Sequence, residues 1–226
     1  SVELPLSRIF QTPVLSELAE FIERKLKGGG EHSETLLQNV SRERPLPLSF
    51  AQQRLWFLDQ LEPGNPLYNT PGALRLKGRL NTAALEQALS EIVRRHETLR
   101  TTFDVVEETP VQIISAPRPV TIPLIDLSGL NEIDRELEAK RLLRAEAQHP
   151  FDLSHGPLLR ATLLRFSEEK HLLLFTMHHI ISDGWSVSVL ARETTRLYAV
   201  FTGQPGAPLE ELPRQYADYA VWQREW

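Results

Sequence analysis

The chain has no cysteine, so disulfides, thiolate nucleophiles and Cys-ligated zinc are excluded, in keeping with a reducing compartment. It also lacks an excess of positive charge. Its 25 Lys and Arg face 30 Asp and Glu, a formal net charge of -5, leaving no basic field to attract nucleic acid or an anionic membrane. No apolar run approaches the ~18 residues of a membrane span, and the first ten residues do not follow a signal-peptide pattern, so a cytoplasmic location is expected. A Gly-x-Ser-x-Gly turn is missing too, which leaves Ser182 and Ser186 in no recognised nucleophile context. The 226 residues are enough to bury a sizeable core.

What is present alternates between helical and extended patterns. A Thr-Pro pair and apolar positions Val14, Leu15, Leu18, Phe21, Ile22 and Leu26 predict one amphipathic helix near the start. The glycines of "KGGGEHSE" and later prolines read as a linker over residues 28–47. Beyond it, Ser49 is placed to cap a helix carrying Phe50, Leu55, Trp56, Leu58 and Leu61. A strand is expected in "GALRLKG", then a helix over 81–100 capped by Asn81 or Thr82, then short strands within 101–108, 110–116 and 120–127. A charged helix ends at Pro150, with Glu136 and Lys140 one turn apart and able to pair. "LLRATLLRF" and "HLLLFTMHH" read as an antiparallel hairpin, and two more helices follow. This order predicts an α/β (α+β) fold with a mixed, mainly antiparallel sheet and helices packed on it.

"HHIISDG", residues 178–184, closes the second strand of that hairpin. In an extended chain His178 and His179 point to opposite faces, so they do not easily share one metal ion, and no metal site is expected. Asp183 and Gly184 precede a helix, which puts a carboxylate and free backbone N–H groups near an imidazole. One short segment thus offers a base, an orienting acid and an anion site.

This segment resembles the His-His-x-x-x-Asp-Gly motif of chloramphenicol acetyltransferase-like enzymes, and its surroundings resemble the condensation domains of nonribosomal peptide synthetases. "SFAQQRLWFLDQLEPGNPLYN", "RRHETLRTTF" and "YADYAVWQREW" are similar to three further motifs of that family, in the family's order. Residues 48–226 then correspond to the N-terminal lobe of a condensation domain, with the C-terminal lobe absent. Residues 1–27 resemble the C-terminal part of a peptidyl carrier domain, without the Gly-Gly-x-Ser segment that bears phosphopantetheine; neither Ser1 nor Ser7 sits in one.

The resemblance implies an amide-forming acyltransferase, inactive as this fragment alone. The amine of a downstream carrier-bound aminoacyl thioester attacks an upstream carrier-bound thioester, with an L-configured donor implied by the opening motif. No cofactor is bound directly; both substrates ride on phosphopantetheine arms. The implied partners are donor and acceptor carrier domains, the second lobe and an adenylation domain. His179 is implied to be catalytic, as general base or positioner, and His178 structural. Asp183 either holds the His179 tautomer or anchors an arginine, and the resemblance favours the anchor. Gly184 fits a close approach of backbone to substrate. Arg54 and Arg100 are supporting candidates, each equally at home as a surface or packing residue. Trp185 and Ser186 are candidates for tunnel lining, although filling the core is the more ordinary fate of such a tryptophan. An epimerization domain and a noncatalytic recruitment module remain the alternatives.

Overall fold

The structure is a computed structural model that describes residues 14–27, 37–205 and 209–225. It divides into two compact units after Leu36. In the first, α1 spans Leu15–Lys27, with Leu18, Phe21 and Ile22 half-buried as the apolar spacing requires. The expected Thr-Pro helix start and residues 28–36 of the expected linker lie outside the described residues.

The second unit holds β1 (Leu46–Pro47), α2 (Phe50–Leu61), β2 (Asn69–Lys77), α3 (Thr82–Arg95), β3 (Thr101–Val106), β4 (Thr109–Ile114) and β5 (Leu124–Asp126). There follow α4 (Glu132–Gln148), β6 (Leu159–Ser167), β7 (Lys170–His178), α5 (Gly184–Phe201) and α6 (Tyr216–Glu225). Strands β1, β4 and β3 form a small antiparallel sheet, and β2, β7, β6 and β5 a larger one in that order. Among the described strands only β5, parallel to β6, makes the larger sheet mixed.

β7 is the strand on which this arrangement rests. Leu173, Phe175 and Met177 face α3 and α5, where they meet Leu89, Ile92 and Leu197, while Leu174 faces α4 and packs with Ala139 and Leu164. Burial on both faces explains its nearly unbroken apolar sequence. The expected hairpin is present, with Leu163 opposite Leu173.

The caps agree with their sequence signals. Ser49 and Gln52 form a reciprocal capping box on α2, and Asn81 rather than Thr82 caps α3, accepting from Ala84 N–H at 3.1 Å. Other expectations shift. α3 stops at Arg95 because His96 turns extended, and Glu97–Arg100 continue as a 3-10 turn. Of the expected strand over 120–127 only Leu124–Asp126 is strand; Val120 and Ile122 donate to Ser90 and Glu86 of α3 instead of to a strand. On α4 the ion pair is Glu138 with Arg141, not Glu136 with Lys140.

Residues 37–47, expected to be linker, are ordered in the second unit. Asp218 on α6 is 1% exposed and gathers them. It accepts from Val40 N–H (3.0 Å), Arg42 Nη1 (2.7 Å) and Gln215 N–H (2.7 Å). Burial alone would raise the Asp218 pKa, but the Arg42 guanidinium and the two N–H donors outweigh it and hold the carboxyl below the ordinary aspartate value. The stability it contributes is therefore complete above that ordinary value, ~3.9, and is lost as pH falls through the lower folded one. Asp218→Asn leaves Arg42 with Glu97 as its one carboxylate partner among the described residues and is expected to cost about 2 kcal/mol, read as a lower urea midpoint at neutral pH. The deficit relative to the parent should shrink on acidification.

Candidate active site

The last residues of β7 separate the two histidines as strand alternation requires. His178 is 3% exposed, whereas His179 lies open to solvent. The His178 ring meets Phe151 edge-on at 6.1 Å between centroids and Tyr68 at 6.3 Å. Phe151 in turn carries the Arg160 guanidinium 3.7 Å from its centroid. His178 Nδ1 accepts the Ile180 N–H at 3.1 Å, so the ring proton is on Nε2. Burial, helped by the neighbouring charge of His179, pushes its pKa down to about 4, and the ring is neutral at neutral pH.

The His178 main chain is held as firmly. Its N–H donates to the Leu158 carbonyl at 3.0 Å. Its own carbonyl accepts from Ile181 N–H and from Ser182 Oγ, each at 3.1 Å. The N–H of His179 donates to the Tyr68 carbonyl at 2.8 Å. The backbone is thus fixed on both sides of an imidazole that projects outward.

The Asp183 carboxylate caps α5 and makes no bond to His179; the arginine that the resemblance implies for it would come from the second lobe. Its Oδ1 accepts from the N–H (2.8 Å) and the hydroxyl (2.7 Å) of Ser186, and Ser186 Oγ accepts the Asp183 N–H at 3.2 Å, a reciprocal cap on α5. The bonds from Ser186, then the Trp185 N–H and the His179 charge, keep this carboxyl below its ordinary value. Among the described residues it pairs with no arginine. Gly184 opens α5 with nothing within 4 Å of where a Cβ would stand, so packing inside this unit does not demand glycine.

Trp185 departs from the core reading: it is 79% exposed at the start of α5. Arg54 is exposed on α2 with no partner among the described residues. Arg100 donates to the Ser115 carbonyl and lies 3.9 Å from Glu97, a packing role at the start of β3. Neither arginine is hydrogen-bonded to His179. Among the described residues no cluster of His, Asp and Glu is suited to hold a metal. The Phe151 wall of the His178 pocket had no signal in sequence; Tyr68 lay inside the opening motif without a role attached to it.

Residues 42–226 match the family model described as Condensation domain. The chain is 48% identical over 224 residues to a linear gramicidin synthase polypeptide of Brevibacillus parabrevis, covering 99% of this chain and 4% of that protein. Its fold resembles the X-domain solved in complex with OxyB from teicoplanin biosynthesis, with TM-score 0.75 and 33% identity over 87% of this chain and 41% of that one. It also resembles the starter condensation domain of rhizomide synthetase RzmA, with TM-score 0.72 and 26% identity over 80% and 43% of the two chains. The chain therefore spans a small part of that synthase and under half of each solved domain.

A neutral buried histidine gives an acid signature. With a folded pKa of about 4 against an ordinary 6.5, the stability tied to His178 is complete above pH 6.5 and falls as pH drops toward 4, where the unfolded chain binds the extra proton. The loss is expected to approach about 3 kcal/mol at pH 4. His178→Ala should lower the urea midpoint at pH 7 and remove this part of the slope between pH 6.5 and 4. An unchanged slope would assign the acid sensitivity to other groups.

Proposed function

The chain belongs to the condensation-domain family, and from that membership we propose that it serves peptide-bond formation in nonribosomal peptide synthesis. The nucleophile is the amine of a downstream carrier-bound aminoacyl thioester, and the electrophile is the carbonyl of an upstream carrier-bound aminoacyl or peptidyl thioester. The new C–N bond forms as the C–S bond breaks, the amine loses a proton and the upstream carrier leaves as its thiol. Phosphopantetheine arms on donor and acceptor carrier domains bring both groups, and an adenylation domain loads the acceptor. The setting is cytoplasmic; among the described residues no helix is long and apolar enough to cross a membrane.

One observation carries this reading: an open imidazole whose backbone is pinned, beside a buried neutral one. His179 is the catalytic residue. An α-amino group is already neutral to about a tenth at pH 7, so the larger demand is to hold the amine and take its proton as it attacks. His178 keeps the turn in place, Asp183 and Ser186 fix the start of α5, and the open side of Gly184 leaves room for a substrate to pass. Residues 48–226 act as the N-terminal lobe, a second lobe completes the tunnel, and residues 1–27 are the end of a carrier domain joined by linker.

The run "DGWSVSV" and the opening motif support an L-configured donor over an epimerization domain. The likeness to the teicoplanin X-domain, which was solved with OxyB, supports recruitment without catalysis as the second reading. An amide-forming assay with the full-length synthetase and two loaded carriers separates them. His179→Ala is expected to lower turnover ~10² to 10⁴-fold with its thermal midpoint unchanged. A folded parent that forms no amide yet binds a partner enzyme would favour recruitment; a His179→Ala variant at parental rate would remove His179 from catalysis.

A further inference from the structure

We propose that a cavity beside His179 receives the side chain of one of the two residues being joined and selects for an aliphatic or aromatic one. The inference rests on the catalytic reading of His179 and adds a substrate class to it. The cavity has a volume of about 200 Å³. That is below the roughly 300 Å³ at which pockets begin to take drug-sized molecules, and it suits a single side chain.

Its place follows from the chain. Met177 and Ile181 both line it, and His179 lies two residues from each, so its Cα is within roughly 7 Å of both. Ile92, Leu99, Met177 and Ile181, all buried, form an apolar floor. Val189 of α5 stands on one wall and Trp185 also lines the cavity, so the exposure of this tryptophan has a use.

The hydroxyl protons around the cavity, and one nitrogen of His96, are already engaged. Thr98 Oγ1 donates to the Ile181 carbonyl at 3.2 Å, and Ser182 Oγ to the His178 carbonyl at 3.1 Å. Ser186 Oγ donates to Asp183 Oδ1 at 2.7 Å, and His96 Nε2 bonds Glu193 Oε2 at 2.9 Å. Among the described residues no Asp, Glu, Lys or Arg lines the cavity. A polar side chain entering it would give up water and find no free hydroxyl proton, only hydroxyl lone pairs for its own N–H or O–H groups, whereas an apolar one loses nothing. The selection is therefore against polarity and, through the walls, for size.

The test uses the full-length synthetase with carriers loaded in two competition series. One varies the donor residue among Ala, Val, Leu, Phe and Asn at constant acceptor; the other varies the acceptor at constant donor. In one series only, Leu is expected to outcompete its polar near-isostere Asn by about tenfold or more. Val189→Phe should lower the Leu-to-Ala ratio in that series by about tenfold or more. Val189→Ala, the variant to rely on if the larger residue disturbs folding, should raise the Phe-to-Leu ratio. Thermal midpoints report folding in each case.

The series that responds identifies whether donor or acceptor fills the cavity. Unchanged ratios in both series for a folded Val189 variant would overturn the proposal, as would equal losses in both, which mark general damage. The His179→Ala rate measured alongside keeps the two ideas apart. Full turnover in that variant sinks the catalytic reading, whereas flat selectivity with a dead His179→Ala variant sinks only the cavity.

Discussion

The bond from Ile180 N–H to His178 Nδ1 is the interaction on which the geometry of the site depends. A strand buried on both faces has to end somewhere, and its last side chain brings a polar ring into an apolar layer between Phe151 and Tyr68. The ring is tolerated there because one nitrogen satisfies a backbone donor that the ending strand would otherwise orphan. That closure bends the chain, and the next bonds, Ile181 N–H and Ser182 Oγ to the His178 carbonyl, complete the turn. His179 is carried outward by the same geometry. A charged imidazolium at position 178 could not serve, since Nδ1 would then hold a proton and repel the donor.

Electrostatics at the start of α5 follow a similar economy. Asp183 places a carboxylate at a helix N-terminus, where the unsatisfied N–H groups favour negative charge. Its bonds run to Ser186, not to His179, so the arrangement is a capped helix beside an imidazole and not a triad. What orients His179 is backbone: its own N–H on Tyr68 and the turn behind it. The result is an outward imidazole on a rigid turn.

On the proposed reading the turn at His179 carries the chemistry, and the apolar cavity next to it gives the same turn a second use. Ser182, which closes the turn, and Ser186, which caps α5, both spend their hydroxyl protons inside the fold. Rigidity of the site and a preference for apolar residues would then have one cause, because a hydroxyl proton held inside the fold is not available to a ligand.

Much of this was legible from sequence because it depends on neighbours along the chain. The β6–β7 hairpin, the Ser49 and Asn81 caps, and the opposite facing of His178 and His179 follow from period and local hydrogen bonding. Other features depend on partners the chain brings from afar. Arg42 meets Asp218 across 176 residues, turning apparent linker into structure, and Phe151 reaches His178 across the sheet end. The exposure of Trp185 belongs here as well: a helical period says which residues share a face, but only the packed sheets decide which face meets solvent. The sequence by itself determined the elements and the divergence of the two imidazoles, since both arise within a few bonds. Tertiary structure alone decided which polar groups were left free, because a hydrogen bond already made inside the fold is one that no substrate can claim.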